Sequence, residues 1–138
     1  MKSILKLSAI IIIAFTVVFT SCKKYPDGPL ISLQSKMARL ARVWTTEQVI
    51  LNGSDITSLY STIGYSETYD KAGNYYYSSS MTSGQGRWMF ENSHSEIKRY
   101  GVIGQAGEDM TILRLKGRSF WYTYTDGKDT FEFHMVSF

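Results

Sequence analysis

The sequence predicts an all-β domain, an eight-stranded antiparallel up-and-down barrel preceded by a short N-terminal helix. Three observations carry this reading. From Val43 to Phe138 there is no proline, the residue that deletes a ladder donor from a sheet. Turn signals recur every 8 to 15 residues through that span. The runs between them are rich in Tyr, Thr, Trp, Phe, Val and Ile, side chains that suit a pleated, half-buried surface. Short strands joined by short connections favour closure into a barrel, which leaves no unpaired edge.

The chain opens with "MKSILK", a short positive segment without acid, followed by the thirteen-residue apolar run "LSAIIIIAFTVVF" (Leu7 to Phe19). A spanning helix needs ~20 apolar residues, so this length beside a basic start reads as a secretory leader over 1–21. Thr20 and Ser21 then lead directly to Cys22, the only cysteine in the chain. This stretch resembles the lipobox of bacterial lipoproteins, with Phe19 where leucine is usual. The resemblance implies lipid attachment at Cys22 and a membrane partner reached through that lipid. Several acyl chains hold firmly where one is marginal, each buried CH2 contributing ~0.8 kcal/mol.

Residues 22–31 hold both prolines, Pro26 and Pro29, with Gly28 between them. Proline favours extended backbone, so the segment reads as a tether. In some lipoproteins of this kind acidic residues just after the cysteine act as a surface-export signal; here Lys23 and Lys24 stand there, so the resemblance implies the periplasmic face of the outer membrane over the cell surface. The domain then runs over 32–138. In "ISLQSKMARLARVW", Leu33, Met37, Leu40 and Trp44 recur at helical spacing, with Ser32 as N-cap. That stripe either lies on the membrane or covers one end of the following domain.

Strands are expected over 43–51, 63–70, 74–81, 86–91, 95–103, 110–116, 118–125 and 129–137. Alternation sets Phe131, Phe133 and Met135 against Glu132 and His134, and Trp88 and Phe90 against Arg87, Met89 and Glu91. It also sets Phe120, Tyr122 and Tyr124 against Trp121. Only "SDITSLYSTI" (Ser54 to Ile63) resists the pattern, and reads as a short helix or a lid-like loop.

Taken in order, the lipobox, "KKYPDGPLISLQSKMARL", a tryptophan opening the first strand, "VILNGSDIT", "YDKAGNYYY", "GRWMFE" and "TILRLKGRSFWYTY" resemble the small lipocalin-like lipoproteins of Bacteroidetes. Lipocalins usually open their first strand with Gly-x-Trp; here Arg42 takes the glycine position and Trp44 keeps its own. The resemblance implies a barrel with one open mouth and one end closed by the N-terminal helix.

Charge excludes one class of partner. From Val43 to Phe138 eight basic residues face eleven acidic ones, a net −3, which offers no footprint for nucleic acid. Two histidines and one cysteine supply no expected metal site, and no glycine-rich phosphate loop leads into a helix, so neither cofactor nor catalysis is expected. His94 reads as a turn residue; His134 is the one residue to try first for an enzyme acting at the mouth. Tyr75, Tyr77, Arg87, Trp88, Phe90, Trp121, Tyr122, Tyr124 and His134 are the candidate lining of a cavity for a small hydrophobic or amphipathic ligand. An eight-stranded barrel either holds one small ligand or is filled by its own side chains, in which case a protein partner in the envelope is the alternative.

Overall fold

The structure, a computed structural model, describes residues 34–103 and 105–138. The leader, Cys22, the tether and the expected cap Ser32 lie outside them. The first described helix, α1 (Lys36–Leu40), is five residues long and begins after Ser35, whose hydroxyl accepts the amide of Ala38 at 3.1 Å. Nine strands follow: β1 (Val43–Leu51), β2 (Ser54–Asp55), β3 (Ser66–Tyr69), β4 (Asn74–Ser78), β5 (Ser83–Glu91), β6 (Glu96–Tyr100), β7 (Glu108–Leu115), β8 (Ser119–Asp126) and β9 (Asp129–Val136). A second helix, α2 (Thr57–Ile63), sits between β2 and β3.

Eight strands pair antiparallel in the order β1-β3-β4-β5-β6-β7-β8-β9, and β9 pairs back to β1, so the barrel is closed. β2 is an extra two-residue strand turned back on the end of β1. The expected strand starting at residue 86 begins at Ser83, and the one expected over 63–70 shrinks to Ser66–Tyr69. The resistant stretch holds α2, which ends at Gly64 in the left-handed conformation that glycine adopts without penalty.

Bulges keep the barrel wall in phase. The β1–β9 register shifts between Thr46 and Gln48, and the β7–β8 register shifts between Ile112 and Arg114. Each extra residue lets two side chains an odd number of positions apart face inward together. Trp44 and Val49 are therefore both buried, as are Ile112 and Leu115.

The up-and-down order gives the barrel two unlike ends. At one end the chain enters through α1, and the 70–73, 92–95 and 116–118 connections and the C-terminus gather there. Leu40, Trp44, Phe120, Leu115 and Met135 pack this end without solvent exposure. The Trp44 indole donates to the Leu40 carbonyl at 2.9 Å, and Arg39 donates to the Leu115 carbonyl at 2.7 Å. At the other end lie α2, the β4–β5 turn, the 101–107 connection and the β8–β9 turn. Tyr60 of α2 meets Tyr65 and Phe133 edge-on, and the Ser80 amide donates to the Ile63 carbonyl. Thus α2 covers the β1–β3–β9 side of this end, and among the described residues no helix lies over the β6–β7–β8 side.

Candidate functional site

The middle of the barrel is polar. Tyr65, just before β3, and Glu67 and Tyr69 on it follow one another at alternate positions, which sends all three inward. Ile97 and Arg99 do the same on β6. Glu67 is wholly buried and Arg99 nearly so. Arg99 Nη1 donates to Glu67 Oε1 at 2.7 Å and to the Tyr75 hydroxyl at 2.8 Å. The same carboxylate oxygen accepts the hydroxyls of Tyr122 at 2.8 Å and Tyr65 at 2.9 Å, while Oε2 accepts that of Tyr69 at 2.9 Å. The Arg99 guanidinium also lies 4.7 Å from the Tyr75 ring centre.

Burial dominates the protonation of these groups. Desolvation first, and the Glu67 charge second, hold the hydroxyls of Tyr69 and Tyr122 well above the ordinary tyrosine range. Tyr65 and Tyr75 are raised from the same two causes. Burial alone favours loss of the Arg99 proton, but Glu67 and the surrounding tyrosines outweigh it, so the guanidinium stays charged.

Toward the end that carries α2, Arg99 Nη2 donates to Oε2 of Glu108, the first residue of β7 and its cross-strand neighbour. Glu108 is 34% exposed where Arg99 is 6% exposed, so this pair joins the buried network to solvent. Gly107 passes so close that a Cβ there would stand 3.2 Å from the Arg99 carbonyl, which is how β7 begins beside the arginine. A cleft of about 710 Å3 opens at this place. Its wall runs from Tyr124 and Glu108 across an acidic rim, Asp109 and Asp126, to Thr111, Thr123 and Thr125, with Gln105 to Gly107 on its far side. Phe131 stacks on Tyr124 at 5.1 Å, and the Gln105 side-chain amide donates to the Tyr77 hydroxyl at 3.4 Å.

The nine residues expected to line a cavity divide between the two faces. Tyr75, Trp88 and Tyr122 are buried in the interior, and Tyr77, Phe90 and Tyr124 are half-buried against the core. Arg87, Trp121 and His134 stand on the outer wall. Alternation decides this, because each sits next to an inward Trp88, Tyr122 or Phe133. Arg87 is tied to Asn74 and to the Ala72 carbonyl. Trp121 is sandwiched between the Arg114 guanidinium, 3.7 Å from its ring, and the His134 imidazole at 4.0 Å, which in turn meets Glu132 at 2.6 Å. Of the nine, Tyr75, Tyr122 and Tyr124 belong to the Arg99 network or its rim. Sequence reasoning passed over Glu67, Arg99 and Glu108. The signal was present as one acid and one base at inward positions of their strands.

Among the described residues no group of three His, Cys, Asp or Glu side chains is placed to hold a metal ion, and no helix is long and apolar enough to cross a membrane. No protein-family model matches the chain, and no curated protein matches it.

Proposed function

We propose that this chain is a lipid-anchored, lipocalin-like envelope protein that binds a small amphipathic molecule at the open end of its barrel, without catalysis. One observation carries the reading: the 710 Å3 cleft is lined by Glu108, the partly exposed partner of Arg99, and by the half-buried Tyr124, at the end opposite to chain entry. A lipid on Cys22 at the periplasmic face of the outer membrane would leave that end pointing away from the bilayer. Aromatic rings beside a few polar groups are what a small-molecule site commonly offers. Because the Glu67–Arg99 network occupies the middle of the barrel, the ligand belongs at the mouth and not deep in the lumen.

Native mass spectrometry of the full chain, released gently from its own membranes, tests this. A reproducible extra mass that disappears on denaturation is expected, along with the acyl mass on Cys22. A bare mass that persists after amphipathic molecules are added overturns the binding reading. Cys22→Ala is expected to leave the membrane fraction; retention after a salt wash overturns the anchor.

A second reading is a packed barrel that meets another envelope protein. The exposed apolar side chains Tyr76, Met89, Tyr100 and Ile103 on neighbouring strands and the 101–107 connection favour it. Polar replacements there would then abolish co-purification of the partner while the barrel stays folded.

A further inference from the structure

The Arg99 guanidinium is served on one side and half-served on the other. Nη1 faces Glu67 and Tyr75, whereas Nη2 has Glu108 alone. Nε, on the same side as Nη2, is buried without a hydrogen-bond partner. That side of an arginine is a fork of two parallel N–H donors, the geometry that takes both oxygens of one carboxylate. Glu108 takes one tine of it.

Resting on the binding reading above, we propose that the ligand is a carboxylic acid whose carboxylate displaces Glu108 from Arg99 and takes both Nε and Nη2. Charge permits the exchange. Arg99 and Glu67 already neutralise one another, so one carboxylate replaces another on the same guanidinium and the buried charge does not change. Position permits it too. Glu108 is the first residue of its strand, lines the cleft, and is partly in water, so its side chain has somewhere to go. Glu67, by contrast, is held by three tyrosine hydroxyls within 2.9 Å and stays. The remainder of the ligand then leaves through the cleft, with Tyr124, backed by the Phe131 ring, against its apolar part.

The test uses the full chain in lipid nanodiscs, titrated by calorimetry with octanoate, octanol and octylamine, in the wild type and in Glu108→Gln. The probes share one tail and differ in head group. Octanoate is expected to bind on the order of tenfold tighter than the other two, the difference that a charge-assisted fork makes. Glu108→Gln, which removes the competing charge but not the shape, is expected to tighten octanoate on the order of tenfold and to leave octanol unchanged. Unchanged near-ultraviolet dichroism shows that this variant keeps its fold. Equal binding of octanol and octanoate, with no effect of Glu108→Gln, overturns the carboxylate exchange and leaves the binding reading standing. Preference for octylamine overturns it in favour of the acidic rim. No binding of any probe to either protein overturns both.

Discussion

Replacing Glu67 by glutamine keeps its shape but removes the charge that Arg99 and the tyrosine hydroxyls share. Breaking a buried ion pair from one side costs about 3–5 kcal/mol, and here only the partly exposed Glu108 remains to compensate Arg99. Chemical denaturation of Glu67→Gln is expected to show a loss of that size. The double change Glu67→Leu with Arg99→Met is expected to cost much less than the sum of its parts, since an apolar pair leaves no orphaned charge. The tyrosines give the network a pH signature. Tyr65, Tyr69, Tyr75 and Tyr122 are all raised by burial in the folded chain, against an ordinary value of about 10. A raised group stabilises the fold fully below its unfolded value and loses that contribution as pH climbs toward its folded value. Stability is therefore expected to fall from about pH 10 upward. Tyrosinate absorbance of these four should appear together with unfolding and not before it. A gradual appearance in a chain that stays folded would show the network to be wet.

At the scale of the element, two segments show what a one-dimensional pattern leaves undetermined. "TSGQG" reads as a turn because of its glycines, yet Gly84 and Gly86 lie inside β5. A Cβ on Gly84 would stand 2.4 Å from the Tyr77 ring, and one on Gly86 would stand 2.6 Å from the Tyr100 carbonyl. Both glycines are there for close approach. Gly84→Ala is accordingly expected to cost about 1–3 kcal/mol by overpacking, part of which Tyr77→Ala recovers by removing the ring. Denaturation of the single and double variants checks this; equal stability of Gly84→Ala and wild type would mean that the ring swings aside freely. The second segment is α2, whose start carries no cap from Ile56. Asp55 supplies it instead, accepting the Thr57 amide at 2.8 Å and the Gln48 side chain at 3.0 Å. The Thr57 side chain first, then the Gln48 side chain and the Thr57 amide, lower the Asp55 carboxyl to about 2. Such a group supports the fold above its unfolded value and loses that support as pH falls toward 2, so amide exchange in α2 should quicken at acid pH before the strands open. Strand identity and facing were legible in "GRWMFE", "NYYYS" and "TFEFHMV", because alternation survives there unbroken. It is interrupted at the bulges in β1 and β7, where a local count loses the face. Glu67 and Arg99 were legible in position but not in partnership, since only closure of the sheet brings β3 across from β6.

For the whole molecule, closure is what turns nine local elements into one unit. β9 pairs with both β8 and β1, and the seam ties Thr45 to Val136 across 91 positions of sequence. Phe133, at the centre of β9, touches the rings of Tyr60, Tyr65, Tyr122 and Tyr124, so this last strand joins the lid helix, the polar network and the mouth. Two consequences follow from one cause. Because the loop-closure entropy of the seam must be met before its contacts form, refolding is expected on the slow side for a domain of this size, in roughly milliseconds to seconds. Because β1 and β8 both lose their partner if β9 is absent, a chain ending at Lys128 is expected to lose near-ultraviolet dichroism and the shielding of Trp44 altogether, and not merely to fray. In the intact chain, tryptophan fluorescence and far-ultraviolet dichroism should report one coincident transition, as a single cooperative domain does. Separate transitions, or a truncated chain that still buries Trp44, would mean that the seam closes a sheet already stable without it. The mouth would then be free to open at β1–β9 while the Arg99 network stays intact, and ligand entry would pass through the seam beneath α2 instead of through the cleft beside Glu108.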